Sequence, residues 1–382
     1  MPGTITSVVC NHMRILIDVR GLLSPQPSGV GHYGHSLLQA FAASNRPHEY
    51  LLFSSGPQKI DLRATLNLPA DRFTLWHYPK PNKILNFLWS QKSARLEKTI
   101  PLPFDAAFFP NLNFIPPSRV PQILTVHDLS FVLFPEFFSW SMRLWHRALR
   151  PAALFRQAEK IIVPSASTAH DLQTFFSVPD EKISVIPLAA APLASTAENF
   201  QLPARFALFI GTHEPRKNLP TIVLGLERYR RQSGDNLSLI ICGNHGWKNS
   251  NWKKICSSGQ RSTWIHDLDY VSPALQATLL AKAAVLLWPS LYEGFGLPVL
   301  EAMQASLPVI TSQISSLPEL TKNQALLVNP YDENQIASSL QILFSSPALA
   351  QNLSTMGKIQ AAKFAWSETA AATLKVIEST QG

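Results

Sequence analysis

The stretch EGFGLPVLEAM, Glu293 to Met303, holds two carboxylates eight positions apart, and a Gly-Phe-Gly turn directly follows the first. The turn predicts the start of a helix that carries the second carboxylate, Glu301. The free N–H groups at the start of a helix attract anions, and carboxylates accept hydrogen bonds from sugar hydroxyls. The stretch therefore predicts a site for a phosphorylated ligand that also presents hydroxyl groups.

Short apolar runs alternate with helical patterns on both sides of this stretch. Predicted strands in the first half are Arg14–Asp18, Tyr50–Phe53, Phe73–Trp76, Ala106–Phe109, Gln122–Val126, Lys160–Val163 and Ile183–Ile186. Those in the second half are Phe206–Ile210, Ser238–Cys242, Thr263–Ile265, Ala284–Trp288, Val309–Thr311 and Ala325–Val328, with helices at Leu219–Arg231, Pro273–Ala283, Leu297–Ala305 and Asn334–Phe344. This alternation predicts an α/β fold with parallel sheets covered on both faces.

The order of elements predicts two Rossmann-like domains that face each other across a cleft. We expect an extension at residues 1–12, an N-terminal domain at 13–190, an Ala-, Ser- and Pro-rich linker at 191–204, and a C-terminal domain at 205–365. A C-terminal helix at 366–382 is predicted to pack back on the N-terminal domain. Ligands of such folds bind beyond the carboxyl ends of the strands, so the cleft is the expected site.

Composition limits the class of protein. A hydrophobic share of 46% and a charged share of 15% over 382 residues indicate a globular chain that can form two domains. The net charge of +8 fits a partner with phosphates or an anionic membrane surface, and no Lys/Arg block indicates a nucleic-acid partner.

The expected location is the cytoplasm, with peripheral contact on the inner face of the plasma membrane. The three cysteines, Cys10, Cys242 and Cys256, form no C-x-x-C pair, which argues against structural zinc and a disulfide framework. Residues 1–12 do not resemble a signal peptide, and no apolar run reaches the roughly 20 residues of a membrane span.

A second informative segment is GTHEPRKNL, Gly211 to Leu219, directly after the apolar strand FALFI. Arg216 and Lys217 lie where the chain turns into the next helix. Two cations at a helix N-terminus predict a clamp for a diphosphate. The alternative is a solvated basic turn, and the position after a central strand favours the clamp.

The segment SGVGHYG matches G-x-G-x-x-G at Gly29, Gly31 and Gly34. A dinucleotide fingerprint follows its strand immediately and is paired with an acidic residue at the end of the second strand. Several residues separate Gly29 from Asp18, and the second strand ends in serines. The pattern therefore disfavours nicotinamide binding and predicts a flexible glycine loop at the domain cleft.

Two further strand ends carry polar side chains. His127 and Asp128 follow the strand QILTV, where a histidine can donate to a sugar hydroxyl or to developing negative charge. Ser165 follows KIIVP, and its alternative role is an ordinary N-cap. The sequence has no D-x-D, H-E-x-x-H or P-loop, so no metal ligand and no cofactor is predicted.

Taken together, these segments resemble the retaining family-4 glycosyltransferases with the GT-B fold. The resemblance begins at Met13 and runs in order through MRILIDVRGLL, SGVGHY, VHDLSF, VPSASTAHDL, FIGTHEPRKNLPTIV, YVSPALQATLLAKA and SLYEGFGLPVLEAM. It implies a metal-independent hexosyltransferase of the EC 2.4.1 type that uses a nucleotide-sugar donor. The resemblance also implies that residues 13–190 are the acceptor domain and that residues 205–365 are the donor domain. Within the family, the pattern is most similar to bacterial mannosyltransferases of polysaccharide biosynthesis, which favours GDP-mannose.

The resemblance also implies roles for single residues. Arg216 and Lys217 would bind the donor diphosphate, Glu293 the hydroxyls of the transferred sugar, and Glu301 the ribose. His127 would lie near the reacting sugar, so the implied catalytic group is His127, Arg216, Lys217 and Glu293. Further implied donor contacts are Gly29, Gly31, Ser165, Gly211, Tyr270, Val271, Gly294, Phe295, Gly296 and Leu297.

The chain departs from the family pattern after EAM, where Ser306 replaces a helix-ending glycine. Glycine is the usual residue at the end of a helix, since it adopts the left-handed conformation without strain. The change is expected to cost a little stability and to leave the chemistry intact.

The acceptor is poorly determined by the sequence. Residues 80–98 mix lysines with Phe87, Leu88 and Trp89, and residues 136–150 place Arg143 and Arg147 on one helical stripe. These helices could bind anionic lipid or a lipid-diphosphate-linked glycan acceptor, or simply pack on the domain. Other hexoses on UDP, GDP or dTDP also stay open, as do a nucleotide-sugar 2-epimerase and a non-catalytic sugar-nucleotide binding protein.

Overall fold

The computed structural model describes residues 12–23, 29–91, 94–194, 200–246, 255 and 259–381. Most of the predicted N-terminal extension, part of the predicted linker, Ser28, Cys10 and Cys256 lie outside the described residues.

Strand hydrogen bonding divides the described residues into two wholly parallel sheets, which confirms the predicted α/β class. The first has seven strands in the order β3-β2-β1-β4-β5-β6-β7: β1 Arg14–Asp18, β2 Glu49–Ser55, β3 Phe73–Tyr78, β4 Ala106–Phe109, β5 Gln122–Thr125, β6 Lys160–Val163 and β7 Ile183–Val185. The second has six in the order β10-β9-β8-β11-β12-β13: β8 Phe206–Ile210, β9 Ser238–Cys242, β10 Ile265–Asp267, β11 Val285–Trp288, β12 Val309–Ser312 and β13 Leu326–Val328.

Helices cover both sheets. Those of the first half are α1 Gly29–Ala43, α2 Leu62–Thr65, α3 Asn82–Ser90, α4 Leu96–Thr99, α5 Ser130–Leu133, α6 Trp140–Leu149, α7 Pro151–Gln157 and α8 Ala166–Phe176. Those of the second half are α9 Leu219–Ser233, α10 Pro273–Lys282, α11 Leu297–Gln304, α12 Leu317–Thr321, α13 Glu333–Ser345, α14 Pro347–Ala361 and α15 Trp366–Glu378. None of the helices in these described ranges is long and apolar enough to cross a membrane.

Burial explains why the strands are apolar throughout. In β1, Ile15 and Ile17 belong to one core cluster and Leu16 to another, so each face of the strand is covered. Every residue of β8 and β9 is buried. A strand buried on both faces needs a continuous apolar run, and for this reason the sequence located most of the strands.

The strand order reverses at the same place in both sheets. Strand β1 lies between β2 and β4, and β8 lies between β9 and β11. The crevices beyond the carboxyl ends of these central strands are the usual ligand sites of doubly wound folds. Arg20 follows β1, while Arg216 and Lys217 follow β8.

One predicted strand is misplaced. The sequence predicts a strand at Thr263–Ile265, whereas Gly259–Thr263 forms a 3-10 helix and β10 runs over Ile265–Asp267. Pairing with β9 decides the position, because Ile265 is opposite Leu239 and Asp267 is opposite Ile241. The shift brings Asp267 into the strand edge that faces the second crevice.

The predicted glycine loop is wrong for the described part of the segment. Gly29 and Gly31 lie in the first turns of α1. A side chain at Gly34 would overlap the end of Leu22, so this glycine lets α1 approach the 3-10 turn Arg20–Leu22 closely. Gly34 therefore serves helix packing, whereas Gly29 faces open space at the helix N-terminus.

The left-handed residue at the end of α11 is Ser306, with a φ of 60°. This is where the family pattern has glycine. Serine is sterically strained in this conformation, whereas glycine is not. Having serine here in place of glycine therefore lowers the stability slightly.

Helix α15 packs against elements of the first half of the chain. The rings of Trp366 and Tyr33 lie 6.0 Å apart, and Thr369 donates to the carbonyl of Pro187 at 2.8 Å. His48 Nε2 lies 2.9 Å from Glu378 Oε1. These contacts fix the last long helix beside α1.

Candidate active site

Glu293 is the centre of a buried group of charges at the carboxyl edge of the second sheet. Its Oε1 accepts from Lys217 Nζ at 2.6 Å, and its Oε2 accepts from Arg216 Nη1 at 3.0 Å. Arg216 Nε also bonds Glu214 Oε1 at 2.6 Å. The two cations are thus held side by side by two carboxylates, and the group of four is neutral in sum.

The two cations lie on a short turn that follows β8. Arg216 and Lys217 belong to the 3-10 helix Pro215–Lys217, and Asn218 follows in the left-handed conformation, which asparagine tolerates well. The Asn218 amide donates to the carbonyls of Pro289 and Pro330 at 3.0 and 2.6 Å. This amide therefore ties the basic turn to the segment that carries Glu293.

Trp288, the last residue of β11, forms the floor of the cluster. Its Nε1 donates to Glu293 Oε1 at 3.1 Å, and its ring lies 4.8 Å from Lys217 Nζ. Gly211 lies against the same indole, since a Cβ there would be 2.7 Å from the ring. The indole thus excludes water from one side of the ammonium group and strengthens its electrostatic interactions.

The Gly-Phe-Gly turn opens a helix, as the sequence predicts. Gly296, with a φ of 103°, is the N-cap of α11. Two hydroxyls from the loop after β12 hold the turn: Ser315 and Ser316 both donate to the carbonyl of Glu293, at 2.5 and 2.9 Å. The carboxylate and the helix N-terminus are thereby fixed relative to each other.

The surrounding charges decide the ionisation of Glu293. Burial alone would raise the pKa of its carboxyl, but the charges of Lys217 and Arg216 and their hydrogen bonds outweigh burial and lower the pKa to about 2. Glu293 is therefore ionised at neutral pH. It keeps both cations in place, a function that the sequence did not indicate.

Glu301 has the opposite environment. It lies one turn into α11 and accepts from Gln276 Nε2 at 3.0 Å. Burial raises the pKa of its carboxyl to about 7, and the bond from Gln276 only partly offsets this. Gln276 belongs to α10, which begins just after Tyr270 and Val271. Glu301 is therefore linked through one helix to these two implied donor contacts. Tyr270 is 48% exposed.

The N-terminal domain contacts this cluster at Gly294. A Cβ at Gly294 would overlap the carbonyl oxygen of His127, so only glycine fits between the two domains. Thr168 Oγ1 donates to the carbonyl of Gly294 at 3.4 Å, and Tyr292 donates to Asp171 Oδ2 at 2.6 Å. The described contacts place His127 next to the turn that follows Glu293.

His127 is oriented by the chain around it. Its Nε2 lies 2.8 Å from the carbonyl of Pro110, which can only accept, so Nε2 carries the proton. Burial lowers the pKa of the ring, with partial opposition from this bond and Asp128. The neutral ring has Nδ1 left as an acceptor. The sequence suggests that His127 donates to a sugar hydroxyl, but its one N–H group already donates to the carbonyl of Pro110.

Ser165 acts as the N-cap of α8. Its hydroxyl accepts from Thr168 N at 3.1 Å, and the side chain is buried. The structure thus shows Ser165 in the N-cap role, which was the alternative to a donor contact. The edge of α1 lies near His127 through Tyr33, whose ring centroid is 4.8 Å from the imidazole.

Two members of the cluster were missed by sequence reasoning. Glu214 stands two residues before Arg216, and Trp288 ends β11. An acidic residue beside two predicted phosphate-binding cations was a usable signal, because such cations need a partner when they are buried. Trp288 gave no signal, since it ends an apolar run that looks like ordinary core.

Among the described residues, one set of side chains could hold a metal ion: His213, His245 and Asp267. They lie at the ends of β8, β9 and β10, on the side of the basic turn away from Glu293. No local metal motif marks them, because the three residues are spread over 55 positions of the chain.

Two family models match consecutive parts of the chain. The model described as Glycosyltransferase Family 4 matches residues 27–190, and the model described as Glycosyl transferases group 1 matches residues 194–360. Together they span both sheets. The chain belongs to the GT-B glycosyltransferases. Its activity is therefore glycosyl transfer of the hexosyl-transferring type.

Individual proteins show the same relationship over the full length. The glycosyltransferase is 26% identical over 375 residues to O-antigen chain mannosyltransferase B of Escherichia coli, covering 93% of this chain and 96% of that one. Sucrose-phosphate synthase from Thermosynechococcus elongatus superimposes with a TM-score of 0.74 at 20% identity, covering 96% and 98% of the two chains. Anabaena HepE in complex with UDP and glucose gives 0.68 at 16% identity, covering 96% and 100%. These two structural likenesses concern the fold.

Proposed function

We propose that this glycosyltransferase moves mannose, with retention of configuration, from a nucleotide-sugar donor to a glycan or lipid-diphosphate-linked acceptor in cell-surface polysaccharide assembly. GDP-mannose is the first candidate donor. One observation carries the proposal: Arg216 and Lys217 are held side by side by Glu293 at the N-terminal end of α11. Two fixed cations and a helix N-terminus suit a departing diphosphate.

The proposed reaction breaks the bond between the sugar C1 and the donor phosphate oxygen and forms a bond from C1 to the acceptor oxygen. The acceptor proton passes to the departing phosphate on the same face, so that no enzyme nucleophile is required. Arg216 and Lys217 neutralise the leaving diphosphate, which is the work that a divalent metal does in other transferases. This arrangement supports the proposal that the donor reacts without an added metal ion.

The sugar and base are proposed from the relatives. A relative aligned over nearly the whole chain is named a mannosyltransferase, which supports mannose. A structural neighbour is described in complex with UDP and glucose, so UDP-hexoses are the second candidates. The epimerase and the non-catalytic protein are not favoured, because the relatives are named as transferases and Arg216, Lys217, Glu293 and Glu301 are all present.

A thermal-shift panel tests the donor. GDP, UDP, dTDP and their sugar conjugates are added to the protein without metal, because a ligand of the folded state raises the unfolding temperature by mass action. We expect the largest shift from GDP and GDP-mannose, and the anomeric configuration of the transferred sugar is then read by NMR. A shift confined to UDP ligands would replace the donor, and an inverted product would refute retention.

The acceptor and a cytoplasmic, peripheral location are proposed from the surface of the N-terminal domain. On α3, Phe87 is 66% exposed, and on α6, Trp140 is 73% exposed. Phe114 lies between the two helices. Its carbonyl accepts from Arg20, which also donates to Asn86 of α3. The ring of Phe114 lies 6.4 Å from the ring of Trp145 on α6. Exposed aromatic rings beside lysines and arginines suit an anionic lipid surface.

Vesicle sedimentation tests this surface. We expect the protein to bind vesicles that contain anionic phosphatidylglycerol and not to bind vesicles of phosphatidylcholine alone. Changing both Phe87 and Trp140 to Ser should abolish the binding, whereas Phe175→Ser, at an exposed ring on α8, should not. Equal binding to both vesicle types, or by the double variant, would refute the membrane contact.

A further inference from the structure

Three side chains from adjacent strand ends converge beside the basic turn. His213 follows β8, His245 follows β9, and Asp267 ends β10. These strands are neighbours in the sheet, and His213 N donates to the carbonyl of Asn244 at 2.9 Å. Because parallel strands end at the same edge, the sheet itself brings the three side chains together.

The donor atoms have the spacing of a metal site. His213 Nδ1 lies 3.2 Å from His245 Nδ1 and 3.9 Å from Asp267 Oδ2, and the three potential ligand atoms all lie within 4.8 Å of one another. Zinc at about 2.1 Å from each ligand in a tetrahedral site separates ligand atoms by about 3.4 Å. The two nitrogens, 3.2 Å apart, already meet this spacing. Asp267 Oδ2 lies about half an ångström beyond it from His213 and within 4.8 Å of the His245 nitrogen, so the carboxylate would have to move towards both rings to bind the same ion.

A fourth residue fixes the ring of His245. His245 Nε2 donates to Asp269 Oδ1 at 2.5 Å, which leaves Nδ1 as the lone-pair atom that faces His213. Histidines that bind metals usually make this kind of bond from the other ring nitrogen to a carboxylate. Two facing Nδ1 atoms can share either a proton or a metal ion, and Asp267 supplies the carboxylate that a metal ion would need as a third ligand.

The cluster is anchored on one side and open on the other. The His213 side chain is 1% exposed, whereas those of Asp267 and His245 are 25% and 33% exposed. Asp267 and His245 can therefore be reached from solvent, which provides an entry path for an ion.

We propose that His213, His245 and Asp267 bind one divalent transition-metal ion, zinc being the best match to two imidazoles and a carboxylate, with Asp269 as the residue that orients His245. The ion would join the segment before Arg216 to the segment before Tyr270 and Val271. It would act as a structural tie at the edge of the active site, apart from the cations at Glu293. The proposal is independent of the donor and acceptor proposed above.

Metal content of the full chain, purified without a tag, tests the site directly. After exposure to Zn²⁺ and removal of free ion, elemental analysis should find about one zinc per chain, and Co²⁺ should give the visible absorption of a tetrahedral site. His245→Ala and Asp267→Ala should lose the ion. His266→Ala is the matched control, because it lies next to Asp267 on β10 and points to the opposite face.

Asp269→Asn provides a second variant that preserves the backbone. Asp269 has a φ of 53°, a conformation that asparagine tolerates well. Loss of this second carboxylate should weaken Zn²⁺ affinity about tenfold to a hundredfold. Circular dichroism checks that each variant is folded. Equal zinc uptake by the parent protein and the folded variants, or no uptake by the parent, would overturn the site in favour of a histidine pair that shares a proton.

Discussion

Arg20 and Arg216 occupy equivalent places in the two domains, each just after the first strand of its sheet, yet their surroundings differ. The Arg20 guanidinium bonds both oxygens of Asp18, the amide oxygen of Asn86 and the carbonyl of Phe114, and its side chain is 1% exposed. Arg216 bonds Glu214 and Glu293 through Nε and Nη1, and its side chain is 18% exposed.

The difference separates a structural charge from one that can bind a ligand. The Arg20 guanidinium stacks 4.3 Å from the Trp89 ring and is surrounded by fixed protein acceptors. Arg216 shares its carboxylates with Lys217, and part of its surface still faces solvent. A buried ion pair with all its bonds made serves the fold, whereas a pair that keeps an open side can exchange protein contacts for a phosphate.

The largest expected effect is on stability, at Arg20. Arg20→Met leaves Asp18 buried without its partner, which should lower the free energy of unfolding by about 3–5 kcal/mol. Urea denaturation measures the change, and nucleotide affinity of the folded variant should be unaffected. Adding Asp18→Asn should recover part of the loss. A variant as stable as the parent would show that Arg20 is not structural.

The next effect is on turnover, at Lys217. Lys217→Ala removes one of the two cations proposed to face the diphosphate, so turnover should fall roughly tenfold to a thousandfold. Initial rates with a saturating donor measure this, with Lys282→Ala on the exposed side of α10 as the control. Near-normal transfer by Lys217→Ala would refute the diphosphate clamp and remove the contrast with Arg20.

A smaller effect is expected from Glu214, whose short bond is to Arg216 Nε and whose carboxylate lies 4.0 Å from Lys217 Nζ. Glu214→Gln keeps the shape but weakens the bond to Arg216 Nε, so turnover should fall by about tenfold through misplacement of the guanidinium. Separate determination of kcat and KM is informative here, since a change in KM alone would mean that Glu214 supports ground-state binding only.

The smallest effect is a pH dependence from Glu301. Its carboxyl pKa is raised to about 7, so the folded protein keeps this proton after the unfolded chain has released it. As the pH rises from about 4.3 to about 7, the free energy of unfolding should therefore fall. Glu301→Gln should reduce that fall, as compared by urea denaturation at pH 5 and pH 8, with Glu368→Gln on α15 as the control. Parallel pH profiles would contradict the raised pKa.

The opposite sign applies to Glu293, and this sharpens the distinction between the two carboxylates of EGFGLPVLEAM. Its depressed pKa means that its contribution to stability is complete above about pH 4.3 and is lost as the pH falls towards 2. The spacing of eight residues does not show that the two carboxyl groups have different pKa values. The difference arises from neighbours on other elements: Lys217 and Arg216 beside Glu293, and the groups that bury Glu301.

The elements themselves were largely predictable. Strands such as Phe206–Ile210 are buried on both faces and so must be apolar along their whole length, and helices such as α11 begin at glycine turns. Two expectations were wrong for tertiary reasons. Strand β10 is placed by pairing with β9, and Gly34 of the expected glycine loop allows helix α1 to pack against Leu22. Neither the pairing nor the packing partner is written in the local pattern.

Hydrophobic periodicity and turn residues act locally, so the α/β class, the tandem order of the domains and the segments that carry Arg216, Lys217, Glu293 and Glu301 can be predicted from the amino-acid sequence. Which charges meet depends on how the strands are arranged in the folded protein. Lys217 and Glu293 are 76 positions apart, and His213, His245 and Asp267 come from three strands. Parallel strands end at a common edge, and the order of strands in the sheet, rather than the spacing along the chain, chooses the partners.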